Sequence, residues 1–231
     1  VELEGPVKKL YGKKDTYQCR ALIIATGAYA RPIGCRREGE FVGTGVSFCA
    51  PCDANFFENL EVFVVGGGDS AVEEAISLTK FASKVTVIHR RNELSAAKSI
   101  QEMAFWNPKR NLMWDSVVEA LHGDGILYGM TVRNVKTGEL TRVDADPDDG
   151  MFGLFGFIGN VPRSELFEGL LDMEKGYIKT DEDMRTGISG VYAAGDVRVK
   201  GFRQVVTAAS DGAIAAMQAE KYIAELDGHV Y

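Results

Sequence analysis

The run Val65-Gly66-Gly67-Gly68-Asp69-Ser70-Ala71 limits what this chain can fold into more than any other segment. Before it, Glu61 to Val65 is a short β-branched run that reads as a buried strand. After it, Ser70 to Phe81 places Val72, Ala75, Ile76 and Thr79 on one helical face. A strand that ends in Gly-x-Gly-x-x-Ala and reopens as a helix is the first turn of a dinucleotide fold. Gly66 permits the tight turn, Gly68 lets the backbone approach a pyrophosphate, and the small Ala71 allows close helix packing. Gly66, Gly67, Gly68, Asp69 and Ser70 are therefore expected to bind the coenzyme, with its anion at the helix N-terminus. Lys84 to Ile88 supplies the next parallel strand and completes a βαβ unit.

The coenzyme's identity is read at the end of that second strand, where an NAD site carries an acidic residue for the ribose hydroxyls. Here the place holds His89-Arg90-Arg91. Two guanidiniums can pair with a 2′-phosphate, which favours NADPH over NADH; the alternative is a solvated basic turn. His89 joins this set as a residue that orients the loop or packs, with no acid–base role.

Upstream lies Cys49-Ala-Pro-Cys52. This spacing lets the thiols close a small, reducible disulfide, and a helix start lowers the pKa of one of them. Asp53 follows at once and has two readings, a proton shuttle for dithiol exchange or a helix cap. Four cysteines are too few for a disulfide scaffold, and Cys19 and Cys35 are too far apart to give the second close pair of a structural zinc site. Redox chemistry is expected, and no metal. Cys19 reads as a packing residue and Cys35 as a loop thiol without an evident partner.

A nicotinamide delivers a hydride whereas a disulfide takes up two electrons and protons, so a flavin is the expected converter between them. Gly195-Asp196, after a strand at Gly190 to Ala194, can place a carboxylate on a ribityl or ribose hydroxyl. Arg203-Gln204, before a last helix at Val205 to Leu226, can reach a flavin ring edge. An earlier strand, Tyr17 to Ala25, runs out into Thr26-Gly27, which join the same expected set. Because strands ending in Ala-Thr-Gly and Ala-Gly-Asp bracket the middle of the chain, one domain is expected to interrupt another.

The middle region reads as a helix from Glu93 to Phe105, then an antiparallel meander with runs at Val117 to Leu121, Gly129 to Asn134 and Leu140 to Val143. Gly150 to Gly159 reads as a glycine- and aromatic-rich crossover, in which Phe152, Phe155 and Phe157 pack rather than form a ligand platform. The fold class expected is α/β, with two Rossmann-like, three-layer ββα nucleotide-binding domains. Residues 34–151 would form the NADPH-binding domain with the CxxC, inserted into an incomplete FAD-binding domain of residues 1–33 and 152–231.

With 231 residues, 45% of them apolar, the chain can bury two cores. It has no run of the ~18 to 20 apolar residues that a membrane span needs, and its start lacks the pattern of a signal peptide. A formal net charge of −7 argues against nucleic-acid binding. A cytoplasmic protein without membrane or nucleic-acid partners is expected. GxSxG, a Walker A lysine and a metal-spaced pair among His89, His122 and His229 are all missing from the sequence.

Taken together, Cys49-Ala-Pro-Cys52-Asp53, Gly66-Gly-Gly-Asp-Ser-Ala71, His89-Arg90-Arg91, Gly195-Asp196-Val197-Arg198 and Arg203-Gln204-x-x-Thr207-Ala208-Ala209-x-Asp211-Gly212 resemble the low-molecular-weight, bacterial-type thioredoxin reductases, class II pyridine nucleotide-disulfide oxidoreductases. The resemblance implies a homodimeric flavoprotein in which NADPH reduces FAD, FAD reduces the Cys49–Cys52 disulfide, and the dithiol reduces thioredoxin or a thioredoxin-like protein. It implies that Cys52 faces the flavin, that Cys49 exchanges with the partner disulfide, that Asp53 is acid and base, and that two domain orientations alternate. Two departures stand out. The family's opening FAD-binding βαβ unit has no counterpart here, so the polypeptide is expected to lack the ADP-binding half of the flavin site: either it is a fragment, or another segment supplies that half, or FAD binding is lost. Ser95 stands where the family's basic loop usually carries a further arginine, which would weaken discrimination against NADH. Two alternatives share these motifs: the reductase component of an alkyl hydroperoxide system, and a non-catalytic NADPH-binding fragment without FAD.

Overall fold

The first apolar run does not form the single strand its composition suggests. In a computed structural model of the protein, which describes residues 1–105 and 108–229, β1 (Lys8–Tyr11) and β2 (Thr16–Cys19) pair as an antiparallel ribbon. β3 (Leu22–Ile24) starts afresh beyond Arg20-Ala21. Thr16, Tyr17 and Gln18 are exposed on the ribbon, whereas Ile24 is buried, because only β3 finds a partner strand inside a core. β4 (Ala28–Ala30) follows. The chain divides into two units, Val1–Tyr29 with Asn160–Tyr231, and Ala30–Gly159.

The contiguous unit contains α1 (Glu38–Phe41), β5 (Val46–Ser47), α2 (Ala50–Asp53), β6 (Glu61–Val65), α3 (Asp69–Leu78), β7 (Lys84–Ile88), α4 (Lys98–Phe105) and β8 (Arg110–Met113). A meander of β9 (Ser116–Asp124), β10 (Ile126–Asn134) and β11 (Leu140–Asp144) leads to β12 (Gly153–Gly156). Five strands form one parallel sheet in the order β5-β12-β6-β7-β8. Strand periodicity sends alternate side chains to opposite faces. Val62, Val64, Val85, Val87 and Phe155 pack with Ala71, Ala75 and Leu78 of α3. Phe63, Ile88 and Leu154 pack with Val118, Leu121, Leu127, Met130 and Val132 of the meander. The result is the ββα layering expected from sequence. Each fully buried valine in this sheet contributes about 1.5–3 kcal/mol of transfer free energy.

The stretch from Gly150 to Gly159 departs from its expected form. Rather than a crossover, its centre is β12, an interior strand of the parallel sheet between β5 and β6. Its glycines are packing residues: a Cβ on Gly153 would lie 2.8 Å from Phe57, and one on Gly156 would lie 2.8 Å from Phe48. Glycine there signals aromatic rings pressed against the strand, not a loop. Phe152 and Phe155 are fully buried and pack edge-on against Phe63 and Phe57, and Phe157 stacks on Phe155. The ends of the unit are tied, since the Arg31 amide donates to the Gly159 carbonyl at 2.9 Å.

In the other unit come β13 (Asn160–Pro162), β14 (Met173–Glu174), β15 (Tyr177–Ile178), β16 (Val191–Ala193) and α5 (Val205–Leu226). β16 pairs in parallel with β3, Val191 opposite Leu22 and Ala193 opposite Ile24. One face of this pair buries Ile24, Val191 and Ala193 with Leu3, Phe167 and Ile178. The other buries Tyr192 and Ala194 against Ala215 and Ala219 of α5. A reciprocal box between Gln204 and Thr207 starts α5. No helix among the described residues is long and apolar enough to cross a membrane.

Candidate redox and nucleotide-binding sites

Cys49 is the extended residue before α2, and Pro51 lies in its first turn, where a missing N–H costs little. Ala50, 2% exposed, anchors the turn in the core. One helical turn brings residues three apart side by side, and Cys49 and Cys52 form a disulfide with their Cα atoms 5.3 Å apart. Cys52 is exposed and Cys49 half-buried. Asp53 precedes a 3₁₀ turn, Ala54–Phe57, without capping it. Its Oδ2 instead accepts the Ser47 hydroxyl at 2.6 Å, and the Ser47 Oγ accepts the Cys49 amide at 3.1 Å. Ser47 was not singled out from sequence; its only signal is its place two residues before the first cysteine. Cys35 is chemically quiet, because burial, with Glu38 nearby, pushes its thiol up to about 12.

At the glycine turn each position does something different. Gly66 has φ 150°, and a Cβ there would meet the Phe157 carbonyl oxygen at 2.5 Å and the Ala71 Cβ at 2.6 Å. A Cβ on Gly67 would lie 2.3 Å from the His89 ring, whereas one on Gly68 would meet nothing nearer than the Ser95 hydroxyl at 3.9 Å. The open side is therefore Gly68, where close approach of a pyrophosphate was expected. No side chain caps α3. Asp69 turns away from that N-terminus and accepts the Ala97 amide at 2.7 Å. The Gly67 carbonyl accepts the Ser95 amide, the Ala96 amide and the Ser95 hydroxyl. These bonds wrap residues 95–97 over the turn, so α4 begins at Lys98 and not at Glu93.

His89 is buried, packs edge-on against Trp114, and its Nε2 has no hydrogen-bond partner. Burial, with Arg91 adding to it, lowers its pKa below the ordinary value. Arg90 and Arg91 are exposed, and neither joins an ion pair among the described residues. An open Gly68, an uncapped ten-residue helix and two unengaged guanidiniums fit a dinucleotide with an extra phosphate.

Thr26-Gly27 and Gly195-Asp196 sit just beyond the carboxyl ends of β3 and β16, where open α/β sheets take their ligands. The Thr26 hydroxyl donates to the Arg163 carbonyl, and the Gly27 carbonyl accepts the Arg163 amide. Gly195 has φ 76°, and its amide donates to Asp211 Oδ2 at 3.1 Å. Asp211 is buried and also receives Lys200 at 2.8 Å and Arg198 at 3.3 Å. Burial pushes the Asp211 carboxyl up, but Lys200, Arg198 and the Gly195 amide outweigh it and hold its pKa below the ordinary value. Beside this fixed turn, Asp196 Oδ1 is buried without a partner. An orphaned carboxylate oxygen invites a hydroxyl donor, so this turn fits the polyol of a flavin. The Arg203 guanidinium lies 4.1 Å from the centre of the Tyr177 ring and reaches the Asp196 and Arg198 carbonyls. Gln204 caps α5.

The structure thus ties Cys49 and Asp53 to Ser47, with Cys52 joined through the disulfide, and sets His89 against Gly67 of the glycine turn. It groups Gly195 and Asp196 with Arg203. Asp211 and Tyr177, which hold the last group, were not singled out for roles from sequence.

A family model described as pyridine nucleotide-disulphide oxidoreductase matches residues 1–212. The chain is 56% identical over 224 residues to a thioredoxin reductase of Peptoclostridium acidaminophilum, covering 96% of this chain and 71% of that one. It is 58% identical over 227 residues to the thioredoxin reductase of Peptoclostridium litorale, covering 98% and 72%. Among solved structures, thioredoxin reductase from Streptococcus pyogenes MGAS5005 superposes with a TM-score of 0.90 at 42% identity, over 97% of this chain and 72% of that chain.

Proposed function

The chain belongs to the pyridine nucleotide-disulphide oxidoreductase family, among its bacterial-type thioredoxin reductases, and from that premise we propose an NADPH-dependent flavoprotein disulfide reductase acting on thioredoxin or a thioredoxin-like protein. The observation that carries the reading is the Cys49–Cys52 disulfide at a helix start, formed between a half-buried and an exposed cysteine. NADPH and FAD, when bound, supply the hydride and the electron pair that return this disulfide to a dithiol. We assign NADPH to the unit Ala30–Gly159, with Gly66 to Ser70 and α3 on its pyrophosphate, Arg90 and Arg91 on its 2′-phosphate, and His89 as packing behind the turn. We assign the flavin to the other unit, with Asp196, in the turn set by Gly195, on a polyol hydroxyl and Thr26, Gly27, Arg203 and Gln204 around it.

In the dithiol form the Cys49 thiolate attacks one sulfur of the partner disulfide and releases the other as a thiolate. Cys52 then displaces the bound sulfur, re-forming the Cys49–Cys52 disulfide and leaving the partner as a dithiol. Asp53 takes the proton from the Cys52 thiol and returns it to the leaving sulfur. We further propose a cytoplasmic homodimer; Phe202, Val205 and Val206 stand exposed at the head of α5, apolar surface that a second copy would cover.

The test is reduction of oxidised thioredoxin by the FAD-loaded protein with NADPH. Cys49→Ser and Cys52→Ser each abolish turnover, and Cys52→Ser accumulates a mixed disulfide through Cys49. Full activity in either variant overturns the dithiol relay.

A further inference from the structure

We infer that Ser47 is a positioning residue, which aims the Asp53 carboxylate at the sulfur chemistry by tying it to the backbone of Cys49; the inference rests on the disulfide-reductase reading above. Ser47 is 5% exposed and ends β5, opposite Phe155 of β12 in the parallel sheet, so its backbone is fixed by the strand ladder. Its hydroxyl has one proton to give. The Cys49 amide donates to Oγ at 3.1 Å, which uses a lone pair and turns that proton away from the amide. Of the two acceptors within reach, Asp53 Oδ2 at 2.6 Å is much the nearer, whereas the Cys49 carbonyl is 3.4 Å away. The proton therefore goes to Asp53, and among the described residues this is the only hydrogen bond its carboxylate receives.

Dithiol exchange makes such a tether useful. The Cys52 thiol gives up a proton and the leaving sulfur of the partner takes one up, so the group that carries it has to stay within reach of both. Asp53 ends a single helical turn, and its side chain has rotatable bonds that the turn itself does not fix. Ser47 selects one rotamer, and it does so from the same atom that holds the amide of a sulfur-bearing residue. A carboxylate and a cysteine fixed to one buried hydroxyl move together.

The experiment follows exchange without coenzyme or flavin. The full chain is reduced at Cys49 and Cys52, freed of reductant, and mixed with oxidised thioredoxin in a stopped-flow instrument. Ser47→Val and Ser47→Thr have nearly the same shape and both suit a strand, differing in the hydroxyl. The expected result is a rate about tenfold lower for Ser47→Val, a fraction of the roughly 10²–10⁴-fold that a positioned acid–base group contributes, and recovery of most of that loss in Ser47→Thr. In an Asp53→Ala background, Ser47→Val costs nothing further. Equal rates for the Val and Thr variants, or the same tenfold loss with Asp53 removed, overturn the positioning role while leaving the reductase reading intact. A reduced wild-type protein that does not exchange with thioredoxin overturns the reading itself.

Discussion

Gly67→Ala is a test in which only shape changes. Gly67 lies outside the left-handed region, so alanine adopts its backbone without strain. The added methyl would fall 2.3 Å from Cε1 and Nδ1 of His89 and 2.7 Å from Cγ. Neither side can retreat freely. His89 is buried against Trp114, and moving the Gly67 backbone loosens three hydrogen bonds to its carbonyl from Ser95 and Ala96, each contributing about 1 kcal/mol. Overpacking of this kind costs about 1–3 kcal/mol, and with both sides pinned we expect a loss of about 2 kcal/mol. The assay is urea unfolding followed by tryptophan fluorescence, with Trp114 as a local reporter beside the clash. His89→Ala removes the obstructing ring, so the double variant Gly67→Ala, His89→Ala is expected to be no less stable than His89→Ala alone, a coupling of about 2 kcal/mol. Simple addition of the two single losses would refute the reasoning, and so would a Gly67→Ala protein as stable as the wild type.

Two further outcomes follow from the same geometry. Arg90→Ala and Arg91→Ala each weaken NADPH binding about tenfold, the loss of one charge-assisted contact of ~1.4 kcal/mol. NADH binding stays unchanged, and coenzyme titrations in which both affinities fall together would remove the 2′-phosphate assignment. Asp211→Asn leaves the partly buried Lys200 and Arg198 without their shared counter-charge, at a cost of about 3 kcal/mol at neutral pH. The folded pKa of Asp211 lies below its ordinary 3.8, so its contribution is full above that value and disappears as pH falls through the folded one. Hydrogen exchange in peptides from residues 190–226 reads this as a gap between wild type and variant that closes below about pH 4; a gap constant with pH would contradict it.

The layers of the contiguous unit were legible because each strand carries its pairing preference locally. Val62, Phe63 and Val64 alternate between two cores, and the glycines at 66–68 have no other economical use between a strand and a helix. The meander was visible for the same reason. What misled was glycine in β12, where the residue is small to admit Phe48 and Phe57 from elsewhere in the chain. The apolar run at residues 17–25 misled too, because hydrophobicity does not say which strand it will pair with. In the sites, residues with intrinsic chemistry such as Cys49, Cys52 and Asp53 were visible, and those that act through a partner were either missed or, like Asp211, present in a motif without a role. Ser47, Tyr177 and Asp211 acquire meaning only from a distance: 2.6 Å to a carboxylate, 4.1 Å to a guanidinium, and 3.1 Å to the amide of Gly195.

The pairing of β3 with β16 joins segments that stand far apart along the chain, and this sets an order of assembly. Were Ala30–Gly159 still unfolded, closing that pair would mean bringing together the ends of a loop of more than 160 residues. The Arg31 to Gly159 hydrogen bond shows that the finished insert returns its chain beside where it left. A folded insert therefore shortens the effective loop roughly fourfold, which lowers the closure cost by about 1.2 kcal/mol. It also replaces a long search by a short one. Refolding should proceed in sequence, the insert first and the split unit condensing around its two adjacent exits, with Leu22–Ile24 the last strand to gain protection.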